Sequence, residues 1–226
     1  MKRLTDKIRE VKPSPSIRLV CLSDTHGLHR RFEMPPADIL IHAGDFMTSG
    51  RDKTEIADFD DWLQSLPYRR KIVIAGNHDI LFEADPKGAR ATLRHADYLE
   101  NSEMTVEGLR FWGSPVTPVT GQWAFAAERG ASIRRCWRKI PAEIDVLITH
   151  GPPFGTLDKA DILAPHLGCK DLIEAVIRTQ PRLHIFGHVH GGRGEETNRS
   201  GIRFVNCAVL DEWYKLAHQP IVVEIA

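Results

Sequence analysis

The sequence predicts a mixed α/β fold in which two packed β-sheets carry helices on their outer faces. Short runs of β-branched and aliphatic residues recur along the 226-residue chain, and each run ends in Gly, Asp, His or Asn. Runs of this length followed by turn residues are typical of strands buried on both faces. Segments with helical spacing of apolar residues lie between them, and this order predicts the mixed architecture.

Five apolar runs are predicted as strands, and each is followed by a polar loop. They lie within residues 16–27, 37–45, 71–79, 143–153 and 182–192. Two further segments, 104–116 and 196–209, are predicted as hairpins that turn at Glu107-Gly108 and Ser200-Gly201. The run PIVVEI near the end of the sequence is expected to form a final strand.

Three segments with apolar residues three and four positions apart are predicted as helices. These apolar positions are Ile56, Phe59, Leu63 and Leu66 in the first, Ile133, Cys136, Trp137 and Ile140 in the second, and Leu172, Ile173, Val176 and Ile177 in the third. A less regular helix is expected over residues 87–96. The longest segment without either pattern is 151–169, and loops of that length are more often functional than plain connections.

Composition limits the classes of function. The formal net charge is zero, so no global basic field favours nucleic acid, and specific binding of nucleic acid is not expected. The four cysteines are scattered without a CxxC pair, which favours a reducing, cytoplasmic setting over a zinc finger or a disulfide framework. The charged stretch MKRLTDKIREVKPSPS is not expected to act as a secretory signal, and no run reaches the roughly 18 apolar residues of a membrane helix. Residues 1–14 are interpreted as a lead-in to a single domain over 15–226.

The predicted strand ends carry side chains that can bind a metal ion. These candidates are Asp24, His26, Asp45, Asn77, His78, His150, His188 and His190. In open α/β sheets, ligands gather outside the carboxyl ends of the strands, where each of these residues falls. Residues i and i+2 of an extended chain point to the same side. Asp24 and His26 can therefore share one cation, and so can His188 and His190.

The donor types indicate the chemistry. Carboxylate oxygen and imidazole nitrogen without thiolate suit Mn, Fe, Zn, Ni or Mg rather than a structural zinc site. Eight candidates are too many for one ion, whereas seven can be shared by two ions if one carboxylate bridges, which leaves His78 free. Two divalent ions and two aspartates leave a net positive charge that attracts phosphate. Two ions roughly 3.5–4 Å apart can activate a water for in-line displacement, and His78 is of the right type to protonate a leaving group.

The ordered set DTH (24–26), GD (44–45), GNHD (76–79), THGPP (149–153) and GHVH (187–190) resembles the calcineurin-like metallophosphoesterase superfamily. The part from THGPP to GHVH, with GxxD at 155–158 and Gly168-Cys169 before a helix, is similar to the MPPED branch, which is related to class III cyclic-nucleotide phosphodiesterases. The resemblance implies a four-layer αββα sandwich, with two mixed β-sheets flanked by helices, in a single metallophosphoesterase domain.

The resemblance also implies roles for single residues. Asp24, His26 and His190 would bind the first metal, and Asn77, His150 and His188 the second. Asp45 would bridge the two ions, with manganese as the expected metal. His78 would contact the phosphoryl group or protonate the leaving group, and Asn77 would also face the substrate. Some animal members of the branch have Gly at the position of His188, so a fuller second site is expected here.

Several other residues have two interpretations. His29, just after DTHG, and His166, in the loop 151–169, are candidates for substrate contact, although a solvated loop position is the favoured interpretation of His29. Trp112, Trp123 and Trp213 can line a pocket, but core packing is the favoured interpretation. His42 and His184 are interpreted as core or edge histidines. Asp79 either orients a neighbouring group or caps a turn.

Three functions remain open. The first is a binuclear-metal-dependent phosphodiesterase that cleaves a small phosphoester, such as a nucleotide, by in-line attack of a metal-bridging hydroxide. The second is a phosphomonoesterase or protein phosphatase of the same fold, although the large protein phosphatases usually have GDYVDRG where this chain has GDFMTSG. The third is a non-catalytic module that binds metal or nucleotide; its usual sign is a lost ligand, and none is missing here. A membrane partner is not expected, and the oligomeric state is open.

Overall fold

Two β-sheets form the centre of the molecule, whose computed structural model describes residues 16–226. The predicted lead-in at 1–14 lies outside this range. The strands are β1 (Ile17–Leu22), β2 (Ile39–Ala43), β3 (Arg70–Ile74), β4 (Asp97–Tyr98), β5 (Ser102–Val106), β6 (Leu109–Ser114), β7 (Thr117–Pro118), β8 (Ala126–Ala127), β9 (Val146–Thr149), β10 (Leu183–Phe186), β11 (Gly194–Thr197), β12 (Arg203–Asn206) and β13 (Ile221–Ile225). The helices are α1 (Lys53–Ser65), α2 (Ile80–Ala84), α3 (Pro86–Thr92), α4 (Ala131–Trp137) and α5 (Lys170–Thr179).

Both large sheets are mixed. The first has the order β13-β1-β2-β3-β4, in which β13 pairs antiparallel to β1 and the other neighbours are parallel. The second has the order β11-β12-β10-β9-β6-β5, with a parallel centre and one antiparallel strand at each edge. The short strands β7 and β8 pair only with each other.

Alternate residues of each strand enter different layers. Leu19 and Ile41 of the first sheet pack with Val146 and Ile185 of the second in the central core. The intervening residues of the first sheet pack against α1 and α3, and those of the second pack against α4 and α5. This burial of both faces explains the continuous apolar runs in the sequence. The predicted αββα sandwich is therefore confirmed.

Most predicted elements are present. The five strands, the final strand and the three regular helices are found, and both hairpins turn where expected. Glu107 and Gly108 both have positive φ, of 51° and 82°, which suits the twist of a two-residue hairpin turn. The irregular helix expected over 87–96 is wrong in its bounds, because the chain forms α2 and α3 on either side of Asp85. The Asp85 carboxylate caps α3 by accepting the N–H of Gly88.

The carboxyl ends of β1, β2 and β3 in the first sheet meet those of β9 and β10 in the second sheet. One hydrogen bond across this end joins the His188 N–H to the Asp24 carboxylate, at 3.0 Å. The loop 151–169 begins at the same end, and a bridge between Pro153 and Cys169 closes its base. Among the residues described, no helix has the length and apolarity needed to cross a membrane.

Candidate metal centre

The structure gathers the metal-ligand candidates at the shared end of the two sheets. Asp24 and His26 follow β1, Asp45 follows β2, Asn77 and His78 follow β3, His150 follows β9, and His188 and His190 follow β10. Three sets of side chains have ligand atoms within 4.8 Å of one another: Asp24, His26 and His190; Asp45, His150 and His188; and His26, Asp45 and His78. We call Asp24, His26 and His190 the first ligand group, and His150 and His188 the second ligand group; Asp45 has ligand atoms near both.

Several of these side chains are oriented by a left-handed backbone conformation. Asp24, His26, Asp45 and His188 have φ of 56°, 41°, 56° and 67°. Residues other than glycine rarely adopt this conformation, and it is concentrated at functional sites. The expectation of an extended i, i+2 geometry is therefore wrong for both pairs. Asp24 and His26 still converge, whereas His188 and His190 diverge into different ligand groups.

Asp45 lies between the two groups. Its Oδ2 is 3.2 Å from His150 Nε2 and 3.9 Å from His26 Nε2. Asn77 adjoins the second group, because its Oδ1 lies 3.0 Å from His150 Nε2. In the first group, His190 Nε2 lies 3.5 Å from Asp24 Oδ1. A single carboxylate thus faces both candidate cation positions.

Backbone carbonyl groups orient two of the imidazoles. His150 Nδ1 lies 2.9 Å from the oxygen of Ala43, and His190 Nδ1 lies 2.7 Å from the oxygen of Asp211. An Nδ1–H that donates to a carbonyl leaves Nε2 free for a metal, and such outer contacts commonly fix ligand histidines. Both Nε2 atoms accordingly face the carboxylates of the cluster.

Hydrogen bonds also hold the two aspartates. Ser23 Oγ donates to Asp24 Oδ2 at 2.5 Å, and the N–H of His78 donates to Asp45 Oδ1 at 2.7 Å. Gly187 packs so tightly against Ser23 and Asp24 that a Cβ atom at position 187 would collide with both side chains. Asp24 is therefore positioned by contacts from both sheets, and Asp45 by a contact within the first sheet.

The charges in the site are mutually compensating. Burial by itself raises the pKa of Asp24 and Asp45, but the neighbouring imidazoles lower it by more. As a result, the pKa of Asp24 lies well below its ordinary value, and that of Asp45 falls to about 2. Burial lowers the pKa of His150 and His190, yet the adjacent carboxylates raise each to about 9. A divalent cation would compete with these protons for the same ligand atoms.

The residues present fit divalent cations. The set contains carboxylate oxygen and imidazole nitrogen, which suits first-row metals and magnesium. His26 Nε2 is buried and has no hydrogen-bond partner among the described residues, an arrangement that is costly unless something else binds the atom. Burial also lowers the pKa of His26 and brings that of His188 to about 4, which keeps both rings neutral and able to bind metal.

Aromatic side chains surround the exposed side of the cluster. Trp123 stacks on His78 with ring centroids 4.2 Å apart and planes 27° apart. Tyr214 lies over the first ligand group, 4.8 Å from the His26 ring and 5.4 Å from the His190 ring. A cavity of about 190 Å³ beside the cluster is lined by Ala160, Leu167, His188, Val189, His190, Glu212 and Tyr214. The cavity thus adjoins His190 of the first ligand group and His188 of the second.

The interpretation of three tryptophans as core residues is right for one and wrong for two. Trp112 is 1% exposed and lies in the core as expected. Core packing is wrong for Trp123 and Trp213, which are 42% and 76% exposed. Tyr214 is absent from the sequence-based candidates because it lies in an irregular turn with no ligand motif. Its positive φ of 58° is a signal that only the structure reveals.

The two remaining histidine candidates lie outside the ligand groups. His29 is 1% exposed and packs against Phe59 and Trp62, with Nε2 3.0 Å from Asp58 Oδ2. Both the substrate contact and the solvated position expected for His29 are therefore wrong, because helix α1 covers the ring. His166 Nδ1 lies 2.6 Å from Asp158 Oδ1, beside a separate cavity of about 620 Å³. His42 and His184 are fully buried, as expected.

Comparisons with known proteins agree with this geometry. The profile of the family described as calcineurin-like phosphoesterase matches residues 17–192. Metallophosphoesterase domain-containing protein 1 of Homo sapiens is 38% identical over 238 residues, covering 95% of this chain and 72% of that protein. A UPF0046 protein of Caenorhabditis elegans is 35% identical over 226 residues, covering 94% and 76%. One solved crystal structure, 14% identical, shares the fold with a TM-score of 0.67 over 94% of this chain and 100% of that one.

Proposed function

Because the chain belongs to the calcineurin-like phosphoesterase family, we propose that it is a binuclear-metal-dependent phosphohydrolase that acts as a phosphodiesterase. Family membership supports hydrolysis of phosphoesters. The binuclear site rests on one observation above all, the position of the Asp45 carboxylate between the two ligand groups.

Each ligand group would hold one divalent ion. Asp24, His26 and His190 would bind the first, and His150 and His188, together with Asn77, would bind the second. Asp45 would be shared between the two. When bound, such ions lower the pKa of a water molecule and neutralise charge on the phosphoryl oxygens. We propose manganese as the metal, while Fe, Zn, Ni and Mg suit the same donors.

His78 is the proposed catalytic acid. It lies beside the first ligand group, with its ring 4.7 Å from that of His26, and its N–H contact with Asp45 fixes its backbone. As the phosphorus–oxygen bond to the leaving group breaks, the bonding electron pair stays on the leaving oxygen. That oxygen takes a proton that His78 donates, and the new bond to phosphorus forms from a hydroxide oxygen, whose parent water has given its proton to bulk solvent. The Asn77 amide and His78 are the proposed contacts to the phosphoryl group.

The lining of the adjacent cavity supports a diester rather than a monoester. A phosphodiester carries one negative charge, whereas a monoester at neutral pH carries nearly two. The residues that line this cavity include Glu212 but neither Lys nor Arg. The second charge of a monoester would therefore lack a cationic side chain there. A nucleotide diester is one candidate, and the four unpaired cysteines support our proposal of a reducing, cytoplasmic setting.

The test compares matched esters with manganese-loaded protein. Diphenyl phosphate should be hydrolysed faster than phenyl phosphate. His78→Ala should lower the rate on diphenyl phosphate by about 100-fold or more while metal content is unchanged. A faster reaction with the monoester would instead support the phosphomonoesterase alternative. No turnover of either ester, with one metal or none per chain, would support a non-catalytic module.

A further inference from the structure

We propose that Trp123 is a positioning residue for His78, and that its stacked indole holds the imidazole in the orientation that protonates the leaving group. The inference rests on the proposed role of His78 as the acid. It adds a residue that does not belong to either ligand group. Trp123 also follows none of the five strand ends that the motifs mark.

The His78 ring is not oriented by a hydrogen bond. Within residues 16–226, its hydrogen bonds are those of its backbone, in which the N–H donates to Asp45 and the carbonyl accepts from Ile80. The rings of His150 and His190, in contrast, each contact a backbone carbonyl. A catalytic histidine is normally held by such a contact to a carboxylate or carbonyl. Something else must hold the ring of His78.

Aromatic contacts supply that constraint. The Trp123 indole stacks on the imidazole at 4.2 Å and 27°. The His26 ring also meets the His78 ring edge-on, at 4.7 Å and 84°. A stacked neighbour and a perpendicular neighbour together restrict rotation of the ring about its bond to Cβ.

The backbone keeps the indole in register with His78. The N–H of Ala124, next to Trp123, donates to the carbonyl of Asn77, next to His78, at 3.2 Å. The N–H of Phe125 donates to Glu83 Oε1 at 2.8 Å, and Phe125 has a positive φ of 55°. Trp123 itself is 42% exposed, so packing in the core does not account for its position. The loop is thus held where the indole covers His78.

A positioning role predicts a dependence on the leaving group. Acidic 4-nitrophenol departs as its anion without needing the His78 proton, whereas 4-nitrobenzyl alcohol departs only if its oxygen is protonated. The methyl phosphodiesters of these two alcohols carry similar nitrated rings, so a loss of ring binding would affect both equally. A loss of His78 orientation would affect mainly the benzyl ester.

The experiment measures kcat and KM of the manganese-loaded protein on both esters. Trp123→Ala should lower kcat on the 4-nitrobenzyl methyl diester at least about tenfold, since general acid catalysis contributes about 10²–10⁴-fold. It should lower kcat on the 4-nitrophenyl methyl diester less than about twofold. Trp123→Phe should restore most of the rate. Trp213→Ala is the matched control, because Trp213 is 76% exposed and has no ring contact with His78. The double variant Trp123→Ala, His78→Ala should lose no more than His78→Ala alone.

Two results would overturn the inference about Trp123 and leave the proposed function intact. One is an equal loss on the two esters, and the other is a double variant whose losses multiply. A wild-type protein that hydrolyses neither ester would overturn the proposed function, and this inference with it. Nuclear magnetic resonance gives a readout apart from turnover: in magnesium-loaded protein, the carbon-bound protons of His78 should move downfield in Trp123→Ala as the ring current of the indole is lost. Unchanged shifts would exclude the stack.

Discussion

The carboxylate of Asp79 is hydrogen-bonded to the backbone of Asp45, with Asp79 Oδ2 2.9 Å from the Asp45 nitrogen. The same side chain accepts the N–H of Gly76 at 2.7 Å and that of Met47 at 2.9 Å. One buried carboxylate therefore caps the turn after β3 and fixes the loop after β2. Asp79 orients a neighbour and caps a turn at once, so both interpretations of this residue hold.

We expect Asp79→Asn to lower both stability and metal affinity. The amide places a donor where the carboxylate accepted, which leaves a buried N–H unpaired and costs roughly 1–3 kcal/mol of unfolding free energy. Asp45 then loses a constraint, and loss of such a contact typically weakens metal binding by about 10–100-fold. Urea unfolding with chelator and metal titration measure the two effects. Asp85→Asn is the control, since that carboxylate caps α3 at the surface. Wild-type metal affinity in Asp79→Asn would contradict the prediction.

The two ligand groups should lose metal separately. His190→Ala should release the ion of the first group, and His188→Gly should release that of the second. Each variant should therefore retain about one ion per chain. Elemental analysis after dialysis measures the retained metal. Adding His26→Ala to His190→Ala should release little more, whereas combining His188→Gly with His190→Ala should leave almost none. Loss of both ions from either single variant would show that the groups do not act separately.

Gly187→Ala should damage the first ligand group selectively. The new methyl group would collide with Ser23 Oγ and Asp24 Oδ2, so the Asp24 carboxylate must shift. Overpacking of this kind costs roughly 1–3 kcal/mol. Gly151→Ala is a matched control at the same end of the sheets, because its Cβ would lie 3.4 Å from Thr117, an ordinary contact. Calorimetric metal titration should show weakened binding in Gly187→Ala alone, and equal binding in both variants would contradict the packing explanation.

Stability should fall as pH decreases through the range set by buried His184. Burial lowers the pKa of His184 from 6.5 to about 3, while its Nε2 contacts Thr149 Oγ1. Above pH 6.5 the ring is neutral in both the folded and the unfolded chain, so it contributes no pH dependence to the stability. Between pH 6.5 and 3 the unfolded chain takes up a proton that the folded chain excludes, which costs up to about 1.4 kcal/mol per pH unit. Urea unfolding of metal-free His184→Gln should have a shallower slope between pH 5 and 6.5. Parallel curves for the two proteins would contradict this.

Sequence alone predicts the side chains at the centre because they follow strands. His150 and Asp45 come directly after buried apolar runs, and the carboxyl ends of parallel strands converge in a known way. Prediction from the sequence fails where long-range contacts decide the conformation. The left-handed backbone of His188 accompanies a hydrogen bond to Asp24, and the position of Trp123 depends on the carbonyl of Asn77. No local pattern encodes either contact, so the sequence favours core packing for Trp123 and does not identify Tyr214.

The distance along the chain between the ligands has a consequence for biosynthesis. The hydrogen bond from His188 to Asp24 joins residues 164 positions apart. Such contacts form late, because a long segment must be ordered before they are made. During translation, Asp24, His26, Asp45 and Asn77 leave the ribosome well before His188 and His190 do. The nascent chain therefore cannot complete either proposed ligand group until the residues after β10 have been synthesised, and we expect metal loading to follow that step.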